Sequence, residues 1–314
     1  MKLQTQVTLT KAENLIDYNS QLLLLGSCFV ENIGDKLDYF KFHTVQNPFG
    51  ILFHAIAIEN LIIRAIHQNE YAENDVFFLN DKWQCYYAHS DLSAVSKEQL
   101  LLNLNRGLAQ TRKQIEKASH ILITLGTAWV YQSKSTGKVV ANCHKVPQKE
   151  FDKKLLSVKE IEKSLENTIQ QINSINKKAQ FIFTISPVRH LKDGFVENQV
   201  SKAHLLAAIH QVISKGKVNY FPSYEIMMDE LRDYRFYAED MVHPNKTAIQ
   251  YIWEKFVEVW INKNSTSNMD DVDAIQRALA HKPFNLEAEN HQKFLKSLEI
   301  KILALQKKLP FIKF

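Results

Sequence analysis

Three side chains, far apart along the 314-residue chain, have the types and surroundings that acyl transfer requires: Ser27, Asp240 and His243. Ser27 directly follows the apolar run Gln21-Leu-Leu-Leu-Leu-Gly26 and precedes a stretch with helical spacing. A serine at a strand-to-helix turn is displayed at the end of a sheet. The helix behind it offers free N–H groups and a partial positive charge, and both would stabilise an oxyanion on a carbonyl attacked by Ser27. Serine in that place is equally a common helix N-cap. Asp240-Met-Val-His243 puts a carboxylate and an imidazole on one turn before Pro244. The carboxylate can hold one ring nitrogen and leave the other to take a hydroxyl proton. The same residues also read as a surface aspartate and a helix-capping histidine.

Other polar residues have two readings each. Arg189 and His190 follow the run Gln180 to Ser186 and should lie at the end of a strand. They could bind an anionic or polyhydroxyl substrate or act as a second acid/base pair; alternatively Arg189 pairs with Asp193 in a loop. Trp129 could stack on a sugar ring or belong to the core. His144 lies in a loop with Asn142, near the expected site. His89 and Ser90 could reach a substrate from their own loop. Cys28, Cys85 and Cys143 have no metal-ligand spacing and are odd in number, which suggests a reduced, cytoplasmic setting. Cys28 adjoins Ser27 without a base of its own and reads as a small buried thiol.

The elements that position these residues can be read from periodicity. Residues 21–26, 120–126, 180–186 and 218–221 are short apolar runs of the kind that form buried strands. Between them lie helical stripes: Phe29, Ile33, Leu37 and Phe40; Leu100, Leu104, Leu108 and Ile115; Ile161, Leu165, Ile169 and Ile172. Ser96-x-x-Gln99 and Ser157-x-x-Glu160 are capping-box patterns. Residues 76–87 read as a hairpin turning at Asn80-Asp81. The alternation predicts an α/β fold with a parallel sheet covered on both faces. Ligands of such sheets bind beyond the carboxyl ends of the strands. Residues 1–262 form the expected main domain. A polar linker, Asn262 to Asn268, leads into a helical extension over 263–314, which packs on the main domain or forms a homo-oligomer with a partner copy.

Composition narrows the function classes. Hydrophobic residues at 45% and charged residues at 23% are ordinary for a globular protein. No apolar stretch is long enough to span a bilayer, and the first twenty residues lack the pattern of a secretory signal, so no membrane partner is expected. The net charge of +5 is scattered rather than gathered in a patch, which argues against nucleic acid.

Taken together, a serine after the first strand and an Asp-x-x-His before the last helix of the sheet domain resemble the SGNH (GDSL-like) hydrolases. Gly26-Ser-Cys-Phe-Val30 is similar to the signature of the GSCFA family, with valine where that signature has alanine. Asn47-Pro-Phe-Gly50, Thr124-Leu-Gly-Thr-Ala-Trp129, Asn142-Cys-His-Lys145, Ser186-Pro-Val-Arg-His190, Tyr220-Phe-Pro-Ser-Tyr224, Asp240 to Asn245 and Ala280-His-Lys-Pro-Phe284 resemble the same family. The resemblance implies a flavodoxin-like three-layer α/β/α domain with Ser27 as nucleophile, His243 as base and Asp240 as its partner. It also implies an oxyanion hole made by the Ser27 N–H, a glycine N–H for which Gly50 is the candidate, and an asparagine two residues after Gly126. Position 128 is alanine, which cannot donate. Thr127 or Asn142 substitutes, or the site works with two donors, at a cost of about 10²–10³ in rate. The expected activity is cleavage of an ester, such as an acyl ester of a carbohydrate, with no metal or organic cofactor. The alternatives are an O-acyltransferase using the same triad and a non-catalytic carbohydrate- or partner-binding module.

Overall fold

The computed structural model describes residues 4–216, 218–282 and 288–314; Pro283 and Phe284 of the 280–284 stretch fall outside them. Five parallel strands form the central sheet. They are β1 (Gln21–Gly26), β2 (His43–Gln46), β5 (His120–Leu125), β9 (Gln180–Ile185) and β10 (Val218–Phe221). Their spatial order is β10-β9-β5-β1-β2. Counting only these five, the order is the flavodoxin-like 2-1-3-4-5, and the chain reverses its direction of travel across the sheet between β1 and β5.

The inner strands are continuous apolar runs because both faces of the sheet are covered. Leu23 and Leu25 point into one core with α2 (Ala55–Ile66), α3 (Lys97–Lys117), α4 (Val158–Ile175) and α5 (Phe195–Ser214). Leu22 and Leu24 point into the other, against α1 (Cys28–Tyr39) and α7 (Lys246–Trp260). Each fully buried leucine contributes roughly 1.5–3 kcal/mol. Two further helices, α8 (Lys263–Ala280) and α9 (Glu289–Lys308), lay Met269, Val272, Ile275, Leu298 and Leu305 against this second core. A short helix, α6 (Ser223–Glu225), runs on from β10 into a π turn over 226–230.

The hairpin forms as β3 (Phe77–Leu79) and β4 (Lys82–Gln84). Asn80 and Asp81 both have positive φ, 52° and 59°, the conformation a two-residue type I′ turn demands. Ser157 and Glu160 make the full capping box. Ser96 caps the Gln99 N–H, whereas the Gln99 side chain turns to Asn103.

Two elements differ from expectation. The polar stretch 262–268 is not a linker: Asn262 accepts the Asn264 N–H and opens α8, which turns its polar residues outward and buries Ser265. A second, antiparallel sheet, in the order β7-β6-β8, comprises β6 (Trp129–Ser133), β7 (Val139–Val140) and β8 (Phe151–Leu155). β6 and β8 mix polar with apolar residues and are only partly buried, and β7 is two residues long, so none carries an apolar run to betray it. Among the described residues no helix is long and apolar enough to cross a membrane.

Candidate active site

Strand register decides which residues meet. Gly26 pairs with Thr124, and Leu125 with Ile185. The residues that follow, Ser27, Gly126 and Ser186, therefore share the carboxyl edge of the sheet, with Ser27 and Gly126 flanking the point where the strand order reverses. That crevice is where open parallel sheets bind ligands.

The turn before Ser27 needs glycine twice over. Gly26 has φ +133°, and a Cβ on it would lie 2.1 Å from the Thr124 carbonyl oxygen. Its N–H donates to Asn47 Oδ1 at 2.9 Å, and its carbonyl accepts the Leu52 N–H at 2.9 Å. Asn47 in turn donates to Glu31 Oε1. Ser27 begins α1 but makes no side-chain cap. It is wholly buried, and its hydroxyl has no hydrogen-bond partner. A buried unpaired hydroxyl costs about 1–3 kcal/mol, so the capping role does not account for this serine.

Asp240 and His243 form a pair on one exposed turn. His243 Nδ1 lies 2.6 Å from Asp240 Oδ2. Asp240 Oδ1 accepts the backbone N–H groups of His243 at 3.0 Å and Val242 at 2.9 Å. These two N–H groups, and then the His243 ring, hold the carboxyl down at about 2. Met241, with φ 57°, lets the turn close. The pair is half exposed, while Ser27 is buried with its hydroxyl unbonded. The imidazole and the hydroxyl are therefore not hydrogen-bonded to each other in this state.

The two backbone donors expected for an oxyanion are already bonded. The Ser27 N–H donates to Thr124 O at 3.0 Å. The Gly50 N–H closes its own turn on Asn47 O at 2.7 Å, and Gly50 faces His89 rather than Ser27. Thr127 accepts the Trp129 N–H and meets the Ser201 hydroxyl.

A cavity of about 630 Å³ opens beside the sheet edge. Thr127, Trp129, Asn142, His144, Arg189 and His190 all line it, with Val242 of the Asp240–His243 turn. Ser27, Gly50, Asp240 and His243 do not. Trp129 is held by its Nε1–H on Glu197 O and by Lys153 Nζ, 4.6 Å above its ring. His144 bonds Cys85 O through Nε2, and Asn142 accepts the His144 N–H. Arg189 does not pair with Asp193. It stacks on Tyr237 at 4.1 Å, and Asp193 pairs with Lys153. Burial, and then Glu31, push the Cys28 thiol up, which keeps it protonated. Among the described residues, no group of three or more His, Cys, Asp or Glu could hold a metal ion.

Residues 21–256 match the family model described as GSCFA family, and residues 272–314 match the model of the GSCFA domain protein, C-terminal domain. The chain belongs to the GSCFA family. No curated protein matches it. Solved structures similar to this GSCFA chain include a carbohydrate esterase family 3 protein from Talaromyces cellulolyticus, at 8% identity and TM-score 0.37, covering 80% of this chain and 99% of that one. Another is an acetyl xylan esterase from the rumen bacterium Butyrivibrio proteoclasticus, at 10% identity and TM-score 0.38, covering 85% of this chain and 66% of that one.

The GSCFA site holds one residue that the sequence reading passed over. Lys202 is wholly buried on α5, and its Nζ donates at 2.7 Å to both Gly126 O and Ser186 O. It ties together the carboxyl ends of β5 and β9. Burial pushes its amine down to about 7, opposed by Cys28. A signal was available: Lys202 falls on the α5 face that also carries Asn198, Leu205 and Ile209, and lysine is almost never buried without a reason.

Proposed function

We propose that this GSCFA chain is a serine ester hydrolase. One observation carries the reading: a wholly buried, unbonded Ser27 hydroxyl stands at the switch point of the sheet, in a fold that also builds the Asp240–His243 pair. His243 Nε2 takes the Ser27 proton as Oγ attacks an ester carbonyl. The tetrahedral adduct collapses, the alcohol leaves with the proton from His243, and an acyl-serine remains. Water, deprotonated by His243, then releases the acid. The step requires His243 to close on Ser27 when substrate binds, which is ordinary for catalytic hydrogen bonds that are loose in the free enzyme.

The acyl donor in this reading is an ester of a carbohydrate. The ring of Trp129 borders a cavity that also presents the polar side chains of Asn142, Arg189 and Thr127, a mixture suited to a sugar's apolar faces and hydroxyls. A panel of acetylated sugars and aryl acetates tests this. The wild type should release acetate and Ser27→Ala should not; release by both would refute it.

The complete burial of Ser27 favours a second reading, transfer of the acyl group to an alcohol. A site that excludes water protects an acyl-enzyme from hydrolysis. Adding a sugar acceptor and measuring acylated acceptor against free acid separates the two.

A further inference from the structure

An oxyanion needs donors aimed at it. The Ser27 N–H is bonded to Thr124 and the Gly50 N–H to Asn47, and position 128 is alanine. Besides Thr124 Oγ1 on the neighbouring strand, one buried polar atom near Ser27 has no partner: Nε2 of His190. Gly126 explains how it reaches the serine. This glycine does not have the left-handed backbone that favours its type, so its value is the space it leaves. A Cβ there would lie 3.1 Å from His190 Nε2, 3.2 Å from Ser27 Cβ and 3.2 Å from the Phe53 ring. The orphan nitrogen and the Cβ that carries the orphan hydroxyl border one small gap that only the lack of a side chain keeps open.

We infer that His190 is a catalytic residue that donates its Nε2–H to the oxyanion formed when Ser27 attacks the ester, and that Lys202 is a positioning residue for it. The inference rests on the serine hydrolase reading above. As the Oγ–C bond forms, the carbonyl π pair moves onto oxygen and accepts the His190 hydrogen bond. The Ser27 proton goes to His243. When the C–O bond to the alcohol breaks, the electron pair returns and His190 is unchanged, having neither gained nor lost a proton.

The surroundings suit a neutral donor rather than a base. Burial, then the charges of Lys202 and His243, push the His190 ring down to about 3. A ring so reluctant to charge cannot hold the serine proton at neutral pH, yet it still carries one N–H. Its place is fixed from several sides. The His190 backbone N–H donates to Asn198 Oδ1, its ring stands edge-on to Phe53 at 5.5 Å, and the preceding Arg189 N–H bonds Val242 O. Lys202, one turn after Asn198 on α5, holds the carbonyls of Gly126 and Ser186 at 2.7 Å each. The gap at Gly126 and the start of the loop that carries His190 are thereby fixed against each other.

Kinetics with an aryl acetate, alongside a thermal melt, test the assignment. His190→Ala should lose about 10²–10³ in kcat, the usual effect of deleting one oxyanion donor, with KM changed less than about threefold. The acid limb of its pH profile should not move. His190→Gln, which restores an N–H donor but no base, should recover at least about tenfold. Lys202→Met should lower kcat with KM held, and leave the acid limb in place. Activity of His190→Ala within about threefold of wild type, a displaced acid limb, or a folded Gln variant no better than Ala would overturn the assignment. If His190→Ala does not fold, Gly126→Ala decides instead, because it fills the gap while the imidazole itself is kept. A folded Gly126→Ala enzyme should be at least about 100-fold slower, and full activity would overturn the inference. A wild type that neither hydrolyses the ester nor is labelled by a fluorophosphonate brings down the hydrolase reading and this one with it. That failure is recognisable because it precedes any variant.

Discussion

The backbone N–H of Arg189 donates to the carbonyl of Val242 at 3.2 Å. This bond joins the loop after β9 to the Asp240–His243 turn, more than fifty residues away in the chain. It brings His190, beside Ser27, into the electrostatic neighbourhood of His243. The site is therefore assembled by loops at the carboxyl edge of the sheet, and its parts test separately.

Asp240 is expected to orient and charge-stabilise His243, not to hold the fold. Asp240→Asn should lower kcat by about 10²–10⁴ by freeing the ring tautomer. Its melting temperature should stay close to wild type, because the pair is exposed. Steady-state kinetics and a melt on the same sample check both halves; a collapsed melt would assign Asp240 a structural role.

Gly26 and Gly126 should respond oppositely to alanine. At Gly26 the new Cβ meets the Thr124 carbonyl oxygen at 2.1 Å in a left-handed backbone, and nothing there can yield. Gly26→Ala is expected to cost on the order of 3–5 kcal/mol by denaturant melt. At Gly126 the nearest atoms are side-chain atoms at 3.1 and 3.2 Å, so Gly126→Ala should keep most of its stability while losing activity. Equal destabilisation of the two variants would count against the packing described.

Acid should weaken the fold through His54. This fully buried N-cap of α2 accepts the Ala57 N–H and donates to Val140 O. Burial pushes it down to about 4, opposed by the Val140 carbonyl, from an ordinary 6.5. Between those values the unfolded chain binds the extra proton and the folded chain does not. The stability it contributes is present above pH 6.5 and lost as pH falls through about 4, on the order of 3 kcal/mol. His54→Asn, which retains a capping side chain, should be less stable than wild type at pH 7.5. The difference should shrink by pH 4.5; urea melts at the two values would expose a constant difference if the account is wrong.

Lys202 should act in alkali. Its folded amine sits at about 7 against an ordinary 10.5, so the unfolded chain binds more protons across that interval and stability from this group rises with pH. The neutral amine keeps two N–H donors for the two carbonyls it bonds. Between pH 7 and 10, wild type should gain in melting temperature relative to Lys202→Met. A gap independent of pH would contradict an amine that burial keeps neutral in this range.

Much of this was legible in the chain itself. Leu22 to Leu25 and the runs at 120–126 and 180–186 announce buried parallel strands, because a strand covered on both faces needs no alternation. The four residues Asp240 to His243 contain their own turn, so local sequence suffices to pair them. Other features depend on contacts across the sheet. The edge strand β2 is only half buried and carries one apolar residue, Val45. Gly50 reads as an oxyanion donor from its motif, but its N–H is claimed by the Asn47 turn and it turns to His89. Arg189 seemed free for Asp193 until Tyr237 and Lys153 took the two partners apart. The role of His190 depends on the emptiness at Gly126, and no spacing along the chain records empty space.

The most direct measurement is covalent labelling of the native protein with a fluorophosphonate, followed by intact mass and peptide mapping. The account predicts a single adduct on Ser27 that is absent from Ser27→Ala and slowed in Asp240→Asn. An unlabelled native protein, or equal labelling of Ser27→Ala, would contradict it.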